Sequence, residues 1–441
     1  MWYNIYTIQL IMGTPTKKVA FHTLGCKLNF SETSTIARDF VENGFEKVKF
    51  DSAADFYVIN TCSVTENADK EAKKLIRKAK RNSPGSKIAV IGCFAQLQPN
   101  SIAKLNGVDI VLGANDKFDL IKHFNEIDVD MSTKIIRSKI DKINSFKPSF
   151  SIDERTRSYL KVQDGCDYTC SFCTIPLARG KSRSGTISDT IKAAKEIAKS
   201  GNKEIVLTGV NIGDFGKGND ESLIDLIKEL DSINEINRIR ISSIEPNLLT
   251  NEIIEFCNLS KKLMPHFHIP LQSGSDKILK AMRRRYDKKV YQNRIKKIKD
   301  TNQDTCIGVD VIVGFPGESD EDFLETYNFL TKLDITYLHV FSYSERADTN
   351  AIKLDKKVSK SDKSKRRKML HVLSEKKKYS FYNDFINKKR PILFEGLKNG
   401  FLVGHTDNYI KTLVKIPVSY NNKIVDIKLM ENKGNHMVGY I

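Results

Sequence analysis

Nowhere in the 441 residues is there an apolar run approaching the roughly 20 residues that a membrane-spanning helix requires. The early patch Ile8, Leu10, Ile11 and Met12 is too short, and it has neither a basic leader nor a small-residue cleavage site, so no secretory signal is read there. Met12 stands just before the first convincing strand, which makes residues 1–16 an expected N-terminal extension and leaves Met1 or Met12 as the start. With no sign of export, disulfides are not expected for the eight cysteines, and a reducing cytoplasm is. Histidine is missing between His123 and His266, and a second CxxC pair is missing too. A zinc knot among the intervening cysteines would lack its usual ligands. Acidic residues are scarce beside basic ones, 54 against 72, and the net charge of +18 favours a polyanionic partner, the alternative being a merely soluble basic protein.

What is present is concentrated in one stretch, Gly165-Cys166-Asp167-Tyr168-Thr169-Cys170-Ser171-Phe172-Cys173, directly after the apolar run Tyr159-Leu160-Lys161-Val162. Three thiols at CxxxCxxC spacing can hold three corners of a four-iron cluster and leave the fourth iron open. An open iron can bind S-adenosylmethionine and pass it an electron, with the cofactor carrying the radical chemistry. The competing readings are a zinc site and three ordinary buried thiols. Cys166, Cys170 and Cys173 are thus the candidate catalytic and metal-ligating residues, and the aromatic Phe172 stands beside the third.

Ahead of this loop the pattern is strand then helix, repeated. Strands are predicted at 18–24, 56–60, 87–91 and 108–112, with helices at Ser31–Asn43 and about 67–81 between them. Cys26, Cys62 and Cys93 each lie just past the carboxyl end of a predicted parallel strand, the edge where open α/β sheets bind ligands. They can converge on a second iron–sulfur cluster. The alternative is three small buried residues at strand–turn junctions. Residues 129–150 read as a linker or ribbon.

After the loop the alternation returns, with six strands at 158–162, 204–207, 238–242, 267–269, 308–313 and 337–341, which make a partial parallel barrel. Their carboxyl ends carry Thr208–Gly213, Ser243–Pro246, Pro270–Ser275, Gly314–Glu318 and Ser342–Arg346. Set above one cofactor loop, they form the expected pocket for the methionine and adenosine portions, with Phe172, Gly209, Glu245, Gln272 and Val313 as candidates. Two basic concentrations, Met282-Arg283-Arg284-Arg285-Tyr286 and residues 353–390, are read as solvated helix faces open to RNA. In the second, fifteen Lys/Arg meet four Asp/Glu. Met369, Val372, Leu373, Tyr379, Phe381 and Tyr382 are expected on its buried face. From Arg390 onward five short strands predict a small antiparallel barrel that binds looped RNA or caps the larger barrel. The fold class is therefore α/β throughout, with the small β-barrel at the end.

From about Lys17 to the end, the chain resembles the radical S-adenosylmethionine methylthiotransferases. The likeness rests on the six cysteines and on Thr23-Leu24-Gly25-Cys26-Lys27-Leu28-Asn29, Asn60-Thr61-Cys62-Ser63-Val64-Thr65, His268–Ser275, Met282–Tyr286 and Phe341–Arg346. These stretches are most like the branch acting on threonylcarbamoyladenosine; the isopentenyl branch more often has Gln-Met after the first cysteine. The resemblance implies a methylthiotransferase N-terminal domain (17–128), a radical core (151–383) and a TRAM-like RNA-binding barrel (384–441). It implies two 4Fe-4S clusters, an auxiliary one on Cys26, Cys62 and Cys93 and a radical one on Cys166, Cys170 and Cys173, with two S-adenosylmethionine molecules used per turnover. One would methylate a sulfur at the auxiliary site; the other, cleaved reductively, would activate C2 of adenosine 37 in a tRNA anticodon loop. That carbon has an unactivated aromatic C–H, which accounts for a radical and for the lack of an acid–base dyad. A reductant such as flavodoxin or ferredoxin is implied, no membrane partner, and a monomer. The isopentenyladenosine branch and the branch that modifies a ribosomal-protein aspartate are the alternatives.

Overall fold

The computed structural model describes residues 16–63, 66–125, 132–152 and 156–441. The expected extension over 1–16 lies outside them apart from Thr16, as do Val64-Thr65 of the second cysteine turn and residues 129–131 of the expected linker.

The first domain is a six-stranded sheet of β1 (Lys18–Thr23), β2 (Glu46–Val48), β3 (Phe56–Thr61), β4 (Lys87–Gly92), β5 (Ile110–Leu112) and β6 (Lys134–Ile136), in the order β2-β1-β3-β4-β5-β6. Every pairing is parallel. All six residues of β3 are buried, as a strand covered by helices on both faces requires. Helices α1 (Lys27–Glu42), α2 (Glu66–Asn82) and α3 (Cys93–Leu97) follow β1, β3 and β4.

Two details differ from expectation. The first helix starts at Lys27, not Ser31: Cys26 is extended (φ −92°, ψ 170°) and occupies the N-cap, while the Ser31 hydroxyl donates to the Leu28 carbonyl inside the helix at 2.8 Å. The stretch read as a linker or ribbon contributes β6, which pairs in parallel with β5 as an edge of the first sheet and, at three residues, is too short to register as a period.

The second domain begins with β7 (Ser149–Phe150), β8 (Arg157–Lys161) and a short hairpin of β9 (Gln163–Asp164) with β10 (Arg183–Ser184). Then come β11 (Glu204–Thr208), β12 (Arg238–Ile241), β13 (His266–His268), β14 (Cys306–Val313) and β15 (Tyr337–Ser342). They form two sheets, β7-β8-β11-β12 and β13-β14-β15, joined by the parallel bridges Ile239–Leu263 and Ser243–His268. The result is the predicted six-stranded parallel half-barrel, β8-β11-β12-β13-β14-β15.

Side chains alternate along these strands. Ile205, Leu207, Ile239, Ile241, Val309, Val311 and Val313 pack outward beneath the helices in the largest hydrophobic core. The opposite set, including Glu204, Arg240, His268, Asp310 and His339, faces the lumen, which is therefore polar.

The basic stretch forms one helix, Lys360–Asn383, that buries Arg366, Leu370, Leu373, Phe381 and Tyr382. Val372 and Tyr379, expected on the buried face, are instead 43 % and 48 % exposed, because the inward stripe runs through Arg366, Leu370 and Leu373 at spacings of four and three.

The last 50 or so residues close into a barrel of β16 (Lys389–Lys398), β17 (Phe401–Thr406), β18 (Lys411–Val414), β19 (Ile424–Asn432) and β20 (Met437–Tyr440), ordered β16-β17-β18-β20-β19. It is not wholly antiparallel: β18 and β20 pair in parallel. A closed ring with an odd number of strands cannot alternate direction all the way round.

Candidate functional site

The β9–β10 hairpin ties the base of the cysteine loop. Gly165 leaves it at φ +68°, and a Cβ there would lie 2.0 Å from the Lys181 carbonyl oxygen, so only glycine fits. The Cys166 amide donates to Gly180 O at 3.0 Å and the Cys173 amide to Cys170 O at 3.1 Å. Three donors aim at sulfur: the Tyr168 amide at Cys166 Sγ (3.4 Å), the Ile175 amide at Cys173 Sγ (3.4 Å) and Arg284 Nη1 at Cys170 Sγ (3.1 Å). Burial pushes all three thiols up, Cys166 to about 11 and Cys173 to about 12. The amides and Arg284 oppose that shift and favour thiolates, the form a metal ligand takes.

The second trio is assembled by strand order, because β1, β3 and β4 are neighbours. Gly25, at φ +95°, packs so tightly on Cys62 that a Cβ would come 2.7 Å from its Cβ and 2.9 Å from its Sγ. Cys93 opens α3 as its first residue. Asn29 Nδ2 donates to Leu24 O (2.9 Å) and Thr61 O (3.1 Å), stitching the first turn to the second. Asn60 Nδ2 donates back to Asn29 O at 3.0 Å, while its buried Oδ1 has no partner.

Spacing bears on the metal readings. Among the described residues, the one trio of His, Cys, Asp or Glu whose ligand atoms all approach within 4.8 Å is His268, Asp310 and His339. Neither cysteine trio closes that far. A tetrahedral zinc with Zn–S near 2.3 Å needs its sulfurs about 3.8 Å apart. Neither cysteine trio meets that spacing as it stands.

A buried ion network joins the two domains between these loops. Glu32 of α1 accepts from Lys117 (2.5 Å), Lys161 (2.9 Å) and both terminal nitrogens of Arg179 (3.0 Å each). Asp164, two residues before Cys166, accepts from Lys161 (2.8 Å), Arg179 (3.0 Å) and Arg183 (3.1 Å). Burial alone would raise both carboxyls; Arg179, Lys117 and Lys161 outweigh it at Glu32, and Lys161 and Arg179 at Asp164, so both are held well below the usual range. Arg179 also donates to Asn29 Oδ1 at 2.6 Å, so the helix after the radical loop reaches the first turn of α1, just past Cys26.

A cavity of about 230 Å³ lies against Phe172, Cys173, Gln272, Asp310, Ile312 and Arg346. Arg346 donates to Ser63 Oγ (2.7 Å), next to Cys62, and to Asp69 (2.9 Å). One wall therefore belongs to the radical loop and the other leans on the second cysteine turn. Of the pocket candidates, Phe172 and Gln272 line this cavity. Gly209 sits under Gln163, whose Oε1 accepts the Val210 and Asn211 amides at 2.9 and 2.8 Å. Glu245 is ion-paired to Arg284 and so stands beside Cys170. The Val313 side chain turns outward into the core, and its strand neighbour Ile312 lines the cavity instead.

Sequence reasoning assigned Arg284 to an RNA-facing basic run, but its side chain is 5 % exposed and bonds Cys170. Arg285 stacks over Tyr168, 3.9 Å from the ring centroid, and Asn247 donates to the Tyr168 hydroxyl at 2.9 Å. Asn211 Oδ1, Asn247 Oδ1 and Tyr343 OH are buried without partners, polar atoms that a bound methionine or nucleoside would satisfy.

At the other end of the lumen, Tyr409 of the small barrel (φ +69°) stacks on His266 at 4.3 Å and His405 at 4.9 Å, with Arg240 4.8 Å over its ring. The turn after β17 thus plugs the floor of the half-barrel.

A half-barrel with this cysteine loop at its mouth defines a radical S-adenosylmethionine enzyme. The Radical SAM superfamily matches residues 160–330, and the uncharacterized protein family UPF0004 matches residues 18–113. The fold resembles the radical S-adenosylmethionine methyltransferase TsrM from Kitasatospora setae, with TM-score 0.53 and 12 % identity over 74 % of this chain and 75 % of that one. The protein named threonylcarbamoyladenosine tRNA methylthiotransferase MtaB in Bacillus subtilis (strain 168) is 40 % identical over 94 % of both chains. The one named tRNA-2-methylthio-N(6)-dimethylallyladenosine synthase in Endomicrobium trichonymphae is 32 % identical over 95 % of this chain and 98 % of its own. The chain belongs to the MtaB-type methylthiotransferase family.

Proposed function

We propose that this protein converts N6-threonylcarbamoyladenosine 37 of tRNA to its 2-methylthio derivative. The observation that carries this is the cavity whose walls are Cys173 on one side and Arg346, anchored to Ser63 beside Cys62, on the other. A base placed there lies between the two sulfur-bearing loops. The identity of the relatives supports the threonylcarbamoyl substrate.

Cys166, Cys170 and Cys173 would hold the radical cluster and Cys26, Cys62 and Cys93 an auxiliary one. When bound, the clusters and S-adenosylmethionine supply the electron, the carbon radical and the sulfur. The chain's own residues do the positioning. Arg284 and the amides of Tyr168 and Ile175 stabilise thiolate sulfur. Phe172 packs edge-on against Phe315, 6.5 Å between centroids, and lines the cavity beside Cys173. Gln272, held at φ +70°, and Asp310 present polar atoms to the cavity. The excess of basic residues and the small barrel favour an anticodon loop, whose splayed bases are the RNA targets proteins read most readily. No helix of the described residues is long and apolar enough to cross a membrane. We take the enzyme to be cytoplasmic and monomeric, with a flavodoxin or ferredoxin as reductant. Mass spectrometry of digested tRNA from cells with and without this gene tests the reading: loss of 2-methylthio-N6-threonylcarbamoyladenosine with accumulation of its precursor is expected, and unchanged nucleosides would overturn it.

A further inference from the structure

The cavity between the cysteine loops adjoins a larger groove of about 640 Å³, and residues 341–344 line both. The far wall of the groove is the helix Lys360–Asn383, which turns Lys360, Lys363 and Arg367 towards it. Their spacing of three and four puts them on one helix face, beside the stripe of Arg366, Leu370 and Leu373 that packs on the barrel. Successive cations therefore stand one turn apart, about 5.4 Å along the helix.

Charge in this groove is unbalanced. Arg366 turns inward to Glu318 (2.5 Å) and Asp320 (2.8 Å), and Glu345, the groove's one carboxylate, is taken by Lys357 at 2.9 Å. Lys363 donates to the Tyr343 carbonyl at 3.3 Å, and among the described residues no carboxylate pairs with Lys360, Lys363 or Arg367. At the junction of groove and cavity stands Phe341, 43 % exposed on β15, the edge strand of its sheet. No other ring stacks on it among the described residues.

A row of cations facing an open aromatic ring is what a groove for single-stranded nucleic acid requires, the cations for the backbone and the ring for a base. Resting on the reaction proposed above, we infer that this groove holds the RNA strand beside adenosine 37: a neighbouring nucleotide stacks its base on Phe341, and Lys360, Lys363 and Arg367 take the phosphates that follow. A base that undergoes chemistry must leave the stack, and its neighbour then loses a stacking partner. Phe341 replaces that partner. Because the ring lines both spaces, the neighbour stays in the groove while the target base passes into the cavity. An acidic protein segment would use the cations but has no need of the ring.

Fluorescence anisotropy with iron- and sulfide-reconstituted full-length enzyme tests this. The probes are an anticodon stem-loop RNA bearing N6-threonylcarbamoyladenosine 37 and the same RNA with an abasic residue immediately before or immediately after that base. One of the two abasic RNAs should bind wild-type enzyme about tenfold to a hundredfold more weakly than the intact one. Phe341→Ala should lose as much with the intact RNA and little more with that abasic RNA, while Phe341→Trp should bind like wild type. Lys360→Gln combined with Arg367→Gln should reduce the slope of log Kd against log salt by about 1.4, the share of two single-strand phosphate contacts. Equal affinity of wild-type enzyme for all three RNAs overturns the inference without recourse to a variant, and is the result expected if the groove takes an acidic protein segment. Losses from Phe341→Ala and the abasic residue that simply add, or an unchanged salt slope, overturn it too. Chromatography of the intact RNA after turnover reads the reaction separately: no methylthio product from wild-type enzyme overturns the reaction and this inference with it, whereas product alongside equal affinities overturns the inference alone.

Discussion

Replacing Glu32 by glutamine keeps the shape of the side chain and removes one charge from the centre of the domain interface. In the native protein Glu32 is fully buried and accepts four bonds from Lys117, Lys161 and Arg179. Lys117 has no other carboxylate among its bonds, while Lys161 and Arg179 keep Asp164. Breaking a buried pair from one side leaves an uncompensated charge, at a cost of about 3–5 kcal/mol. A domain of this size shifts its midpoint by about 2–4 °C per kcal/mol, so Glu32→Gln should lower Tm by about 6–20 °C. Differential scanning calorimetry of the reconstituted enzyme measures it. Adding Lys117→Met removes the stranded cation, and the double variant should recover part of the loss. A decrease below about 1 kcal/mol, or a double variant worse than the sum of its parts, would refute the claim that this network holds the domains together.

Cys170→Ala should abolish cleavage of S-adenosylmethionine, whereas Cys62→Ala should spare cleavage and stop methylthio insertion; product analysis by liquid chromatography with the outcomes reversed would undo the assignment of the two trios. Gly165→Ala drives a Cβ against the Lys181 carbonyl and should cost the radical loop its iron, leaving the iron content per chain near that of Cys170→Ala. Full iron content in that variant would show that the loop tolerates the change. Burial would raise Glu204, but Arg240 and its neighbours bring it down to about 2. Its stabilisation is present above an unfolded glutamate's value of about 4.3 and is lost as the pH falls towards about 2. Glu204→Gln should therefore flatten the fall in denaturation midpoint across that window, and an unchanged slope would mean that Glu204 does not carry it.

The strand–helix alternation, the half-barrel and the placing of Cys26, Cys62 and Cys93 after β1, β3 and β4 were legible because each is written locally: a period of two, a turn after each strand, a loop of nine residues. The side chains that organise the site were not. Glu32 meets Arg179 across 147 residues, and Arg284 meets Cys170 across 114. Charge on such residues looks like solvated surface until the fold brings a partner. Val313 and Ile312 show a finer limit, since a pleat decides which of two adjacent apolar residues reaches the cavity. The parallel closure of β18 on β20 is likewise invisible in strand patterns and follows from counting strands around a ring.

Arg179 has a consequence for domain exchange. It lies in the second domain, six residues past Cys173, yet it bonds Asn29 and Glu32 of the first. A chimera given an N-terminal domain without a carboxylate at the place of Glu32 would leave Lys161 and Arg179 with Asp164 alone. The unit that must be exchanged together is therefore the seam, not either half.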